Sequence, residues 1–172
     1  MITLIIPSEQ YLKSYTEAFD KYKAAGVSTY GMSDPRSIDI FEKHKNYRLG
    51  RNLKPDRVPS DCYWLVDTEN AYFIGEIHIR HYLNEALTLR GGHIGYVIRC
   101  DKWNKGYGTR MLSLALEKAR KMGLSRVLCT CDDQNFASAR VMEKNGFILE
   151  DKVTVGEILC RRYWKTLIIP NS

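Results

Sequence analysis

Between Trp103 and Thr109 the chain reads Trp-Asn-Lys-Gly-Tyr-Gly-Thr, and it runs straight into a helix-forming stretch with one apolar stripe. Two glycines one residue apart at a helix N-terminus let backbone come close to a ligand. The first-turn N–H groups have no partner within the helix, and the helix dipole favours negative charge there. Lys105 and Arg110 add cationic charge, so the segment reads as a diphosphate cradle. It is neither of the common nucleotide loops. No Gly-Lys-Ser/Thr follows four spacer residues, and the third glycine of a dinucleotide fingerprint is replaced by Met111. A second motif lies downstream: Asn135-Phe-Ala-Ser138 opens another helix, and Glu143-Lys-Asn-Gly146-Phe147 closes it.

In this order and spacing the two motifs resemble the GNAT superfamily of N-acetyltransferases. Its signature is Arg/Gln-x-x-Gly-x-Gly/Ala, followed by Asn-x-x-Ala/Ser and a closing Gly-Phe. The resemblance covers about residues 60–165, and the pairing of motifs makes it specific. Gly91-Gly92-His93-Ile94-Gly95-Tyr96 and Arg80-His81-x-Leu83-Asn84 are also similar to a poorly characterised predicted-acetyltransferase branch. The resemblance implies acetyl-CoA as cosubstrate. The backbone of Tyr96, Val97 and Ile98 would pair with the pantetheine arm like an extra strand. The N–H groups of Asn104, Lys105, Gly106, Tyr107, Gly108 and Thr109 would hold the diphosphate. Asn135 would bond the pantetheine end, with Ser138 the other polar member of its motif. The strands of Val97 and Val127 would splay apart to admit the cofactor. Three positions depart from better-known relatives: the Arg/Gln position is Trp103, the frequent Tyr acid is Met142, and one branch's Glu base is Thr130.

Direct transfer needs no protein nucleophile. An alkylammonium, with a pKa of roughly 10.4, must first lose a proton. The oxygen that gains charge needs a donor, and the strand N–H near Val97 or Ile98 is placed to serve. The leaving thiolate has a conjugate acid of pKa about 8.5, so a proton donor helps without being obligatory. Candidate bases are His93, Glu76, His78, His81 and Asp132. His93 starts the splayed strand, and an imidazole titrates near neutral pH. Glu76 and His78 share one strand face. His93 ranks first and Glu76 second. Cys129 and Cys131 read as core packing, and His78 and His81 fall on opposite strand faces, so no metal site is expected.

These groups need elements to hold them. The pattern predicts a strand at 2–6, a helix over 8–25 and a shorter helix over 37–44. Residues 43–57 read as a loop. Strands follow at 62–67 and 71–80 with a hairpin turn at 68–70, then a loop over 82–92 and a strand at 93–99. A long helix covers 106–122, stopped by Gly123, with Met111, Leu112, Ala115, Leu116 and Ala119 as its buried stripe. A strand at 127–131, a helix at 135–145 and a strand pair at 147–155 and 157–167 complete the chain. The expected fold is α+β in three layers: a GNAT-type mixed, mostly antiparallel sheet of six or seven strands, flanked by helices and splayed between 93–99 and 127–131. The strand–helix–strand unit across that splay should be parallel. One domain is expected over 1–172.

The 172 residues are 44% hydrophobic and 27% charged, which suits a globular domain and excludes collagen-like or wholly disordered classes. Five cysteines form no CxxC and demand no disulfide framework, so a cytoplasmic location is expected. No targeting or membrane-spanning stretch is apparent. The net charge of +6 suits an anionic ligand. Residues 43–57 carry six Lys/Arg against one Asp, a local +5, which reads either as a solvated, mobile stretch or as a docking surface for an anionic acceptor. No nucleic-acid motif accompanies the charge. The first reading is an acetyl-CoA-dependent N-acetyltransferase acting on a small-molecule or peptide amine. The rival is a catalytically silent CoA-binding sensor.

Overall fold

The computed structural model describes residues 1–28 and 31–168. Seven strands form two antiparallel sheets. The first has the order β1 (Ile2–Ile5), β2 (Ser60–Asp67), β3 (Tyr72–Arg80), β4 (Ile94–Ile98). The second has the order β5 (Arg126–Asp132), β7 (Ile158–Thr166), β6 (Ile148–Val155). Helices α1 (Leu12–Ala24) and α2 (Ile40–Leu49) lie against one face, and α4 (Tyr107–Lys121) and α5 (Phe136–Lys144) against the other. A short helix, α3 (Glu85–Leu89), sits between β3 and β4. Each face has its own core. One holds the α4 stripe, Met111 to Ala119, with Leu65, Ile77, Ile94 and Cys129. The other holds Tyr15, Phe19 and Tyr22 of α1 with Trp64 and Phe73.

The three-layer α+β architecture and seven strands match expectation. The expected parallel pairing does not: among the described residues every ladder is antiparallel, and β4 and β5 share none. The place where a parallel ladder was expected is the splay itself.

Two helices depart from their predicted bounds. The second runs 40–49 rather than 37–44, because Asp39, not Ser37, caps it. The Asp39 carboxylate accepts the N–H groups of Phe41 and Glu42 at 2.9 and 3.0 Å, and the first left-handed stop is Gly50. Half of the basic segment read as loop is therefore helical, with His44 on its buried side. Within the predicted loop 82–92, Asn84 accepts the Leu87 N–H at 2.9 Å and nucleates α3.

Candidate active site

The gap between β4 and β5 is closed at one end around His93. His93 N–H donates to the Leu128 carbonyl at 2.7 Å, and Leu128 N–H donates back to His93 Nδ1 at 3.0 Å. Gly92 makes this approach possible. A Cβ there would stand 2.4 Å from the Leu128 carbonyl oxygen, at a φ of +64°. Gly91 N–H adds a bond to Thr130 Oγ1 at 2.8 Å. The Gly-Gly-His word is thus the hinge of the wedge.

From that hinge β4 runs out along β3. Arg80 N–H donates to His93 O and Arg99 N–H to Ile74 O. Bonds alternate along an antiparallel pair, so residues 95 and 97 are committed to β3, and Ile94, Tyr96 and Ile98 turn their N–H and C=O toward the gap. The Ile98 carbonyl is taken by the Tyr22 hydroxyl and by the Trp103 indole, the latter at 2.7 Å. The Ile98 N–H and both backbone groups of Tyr96 face the wedge. Val97, grouped with them at the outset, has its backbone spent on β3.

At the open end stands the N-terminus of α4. Asn104 (φ +58°) and Gly106 (φ +80°) are both left-handed, which curls the chain into the first turn. A Cβ on Gly106 would meet nothing within 4 Å, so that surface is open. Gly108 differs. Its Cβ would press on Val141 of α5 at 3.2 Å, so this glycine serves helix packing. Lys105 is exposed. Arg110, counted with it at the outset, instead donates to the Ile2 carbonyl at 2.9 Å and ties α4 to β1. Asn135 caps α5: its Oδ1 accepts the Ser138 N–H at 3.1 Å, and its amide N–H₂ is unused among the described residues. The Tyr96 hydroxyl reaches from β4 to Ser138 Oγ at 2.9 Å. Burial raises the Tyr96 pKa, so the hydroxyl stays protonated.

The candidate bases separate by environment. His93 is 8% exposed, and its Nδ1 lone pair is occupied by the Leu128 N–H. Its proton must therefore sit on Nε2. Burial, with Arg80 nearby, lowers its pKa to about 4. That makes it a hinge residue with no free lone pair at neutral pH. Glu76 is 1% exposed. Its Oε2 accepts the Trp64 indole N–H at 2.8 Å and its Oε1 accepts the His78 Nε2–H at 2.9 Å. Burial opposes its ionisation most strongly. The His78 hydrogen bond, the His78 and His44 charges and the Trp64 indole together outweigh burial and hold the carboxyl below its usual pKa. His78 is 21% exposed and directly opposite Gly95 of β4. In the neutral tautomer whose Nε2–H binds the carboxylate, the lone pair lies on Nδ1. His81 and Arg48 both face Asp61, at 3.3 and 2.5 Å. Arg48 of the basic segment is therefore an internal partner. Asp132 pairs with Arg90 at 2.9 Å.

Two features were not legible in the sequence. Arg80 lays its guanidinium 3.6 Å from the Cβ position of Gly95, bonded to the carbonyls of Gly91 and Gly92. His44 and Cys62 come to 3.7 Å from each other beside Glu76. No local signal marks either.

A family model described as "Acetyltransferase (GNAT) domain" matches residues 13–148. The chain belongs to the GNAT acetyltransferases. Solved structures share the fold. A ribosomal-protein-S5-alanine acetyltransferase from Vibrio fischeri is 15% identical over 96% of this chain and 92% of its own, at a TM-score of 0.67. An acetyltransferase from Salmonella typhimurium that modifies the N-terminal serine of ribosomal protein L7/L12 is 14% identical over 97% and 95%, at 0.69. The microcin C7 self-immunity acetyltransferase MccE, solved with acetyl-CoA and AMP, is 15% identical over 96% and 92%, at 0.68. No curated protein sequence matches. This GNAT chain is thus an acetyltransferase with the family fold. Among the described residues, no helix is long and apolar enough to cross a membrane.

Proposed function

We propose that this GNAT enzyme transfers an acetyl group from acetyl-CoA directly to an amine on a small molecule or peptide, as one domain over 1–172. The observation that carries this reading is the wedge. Unpaired strand groups line one side of it, and unpaired helix amides over open space stand at its mouth. The Tyr96 backbone binds the pantetheine arm, whose thioester oxygen meets the Ile98 N–H. The amides of Asn104, Lys105, Gly106, Tyr107, Gly108 and Thr109 bind the diphosphate, and the Asn135 amide N–H₂ serves the arm with Ser138 beside it. Acetyl-CoA supplies the activated acyl group and a good leaving thiolate.

The chain's own residues manage protons and charge. Glu76 fixes the tautomer of His78, and His78 Nδ1 takes the proton from the incoming ammonium. The His78–Glu76 pair thus does the work first expected of His93 or of Glu76 alone. The Ile98 N–H donates to the oxygen that gains charge. The Tyr96 hydroxyl is the proton donor nearest the arm, in the role that Met142 cannot fill. Five free cysteines suit a reducing, cytoplasmic setting. The test is acetyl transfer from acetyl-CoA to a panel of polyamines, amino acids and peptide N-termini, run beside CoA-binding calorimetry. Turnover on at least one amine is expected. Tight CoA binding with no turnover on any amine would favour the silent sensor instead.

A further inference from the structure

On the α2 side of β2 and β3, three metal-ligating side chains converge, with the Glu76 carboxylate beside them. His44 comes from α2, Cys62 from β2, and Glu76 and His78 from β3. Cys62 and His78 are direct cross-strand partners. The ligand atoms of His44, Cys62 and His78 lie within 4.8 Å of one another. His44 Nε2 stands 3.7 Å from Cys62 Sγ and 3.7 Å from Glu76 Oε2. The second distance is too long for an N–H···O hydrogen bond. The first is close to the spacing of two ligands on one ion: with metal–ligand bonds of about 2.0–2.3 Å, tetrahedral neighbours lie roughly 3.3–3.7 Å apart. His44 Nε2 has the Cys62 thiol as its hydrogen-bond partner, and His44 Nδ1 has none among the described residues. An imidazole 8% exposed is therefore held without one hydrogen bond of ordinary length to oxygen or nitrogen. A buried polar group in that state calls for an occupant.

We propose that His44, Cys62 and His78 form a zinc site, with the fourth position open to water, whose occupancy switches off acetyl transfer. One thiolate and two imidazoles make a borderline-soft set of three ligands that suits Zn²⁺ and does not suit Mg²⁺ or Ca²⁺. Cys62 is 2% exposed and His44 8%, so the ion enters past His78, which is 21% exposed. The Trp64 indole, already bonded to Glu76 Oε2 at 2.8 Å, orients the carboxylate beside the ligand set. Binding releases the Cys62 thiol proton to solvent. It also takes the one lone pair of the neutral His78 imidazole. The atom assigned to accept the ammonium's proton is then capped. The inhibitory half of this inference rests on that assignment; the site does not.

The experiment uses the full chain, stripped with a chelator and titrated with Co²⁺, then Zn²⁺. Co²⁺ should give visible d–d bands of tetrahedral strength and a near-ultraviolet thiolate charge-transfer band, and one equivalent of Zn²⁺ should bleach both. Cys62→Ser should lose the charge-transfer band, and His44→Gln should weaken Co²⁺ binding by at least about tenfold. A thermal melt of each metal-free variant confirms that it is folded. Zn²⁺ at saturation should abolish turnover of the wild type, chelator should restore it, and Cys62→Ser should turn over in Zn²⁺ concentrations that silence the wild type. Absence of the bands, or a charge-transfer band that survives in Cys62→Ser, overturns the site. Bands with undiminished turnover overturn the inhibitory role, and with it the placing of the base on His78.

Discussion

Glu76→Gln is the sharpest perturbation of the proposed proton path. The carboxylate accepts two hydrogen bonds on two oxygens, one from the Trp64 indole and one from His78 Nε2–H. A glutamine of the same shape offers one oxygen and one N–H₂. If its oxygen keeps Trp64, its amide faces His78 Nε2, and the imidazole proton must shift to Nδ1, where the base needs a lone pair. If the amide flips, the buried indole loses its acceptor, at a cost of about 1–3 kcal/mol. Either arrangement damages the site while leaving its volume unchanged. General-base contributions are typically about 10²–10⁴-fold. The partial exposure of His78 lets water take over some proton transfer, so kcat should fall by roughly 10²–10³, or about 3–4 kcal/mol. The KM for acetyl-CoA should hold, because neither residue lines the cradle. His78→Gln should show the same deficit, and the double variant should be no worse than either single, as for groups that act as a unit. The deficit should shrink as pH rises and the acceptor amine deprotonates unaided. The assay is steady-state acetyl transfer with chelator present, beside thermal melts. A folded Glu76→Gln enzyme with kcat within about threefold of the wild type, or fully additive deficits, would refute the dyad.

Gly106→Val places a branched side chain in open space at the α4 N-terminus, so calorimetry should show CoA binding weakened by at least about tenfold; unchanged affinity would remove the cradle from this turn. Gly108→Val should instead lower the melting temperature through its clash with Val141. The double Cys129→Ala, Cys131→Ala variant should melt lower yet keep its turnover. Both thiols are buried, with pKa values pushed up by burial, Cys131 to about 11, and detection of an acetylated cysteine would contradict this. His93 binds its proton less readily when folded, at about 4 against 6.5 unfolded, so its contribution is complete above pH 6.5 and is lost as pH falls toward 4. The loss amounts to as much as about 3 kcal/mol at the acid end. His93→Gln keeps an acceptor for the Leu128 N–H and should flatten that part of the stability–pH curve measured by denaturant unfolding.

What the sequence determined by itself was local. Gly106 and Gly108 before an apolar stripe announce α4, Asn135 announces the α5 cap, and Gly-Phe at 146–147 announces its end, because caps and periodicity are written within one or two turns. The paired motifs were enough for the family resemblance. Tertiary structure decided what each group can do. His93 looked like a base from its position, but register brought Leu128 N–H onto its lone pair. Gly108 looked like phosphate space, but α5 packs there. Val97 looked like a pantetheine partner, but the alternation of bonds with β3 spends its backbone. α2 looked like 37–44, but the Asp39 cap and the Gly50 stop set it at 40–49, and its packing against β2 brings His44 beside Cys62. The His44–Cys62–Glu76–His78 cluster spans 34 positions from first to last. Such contacts depend on strand register and on how a helix is turned against a sheet, and no window of neighbouring residues encodes either.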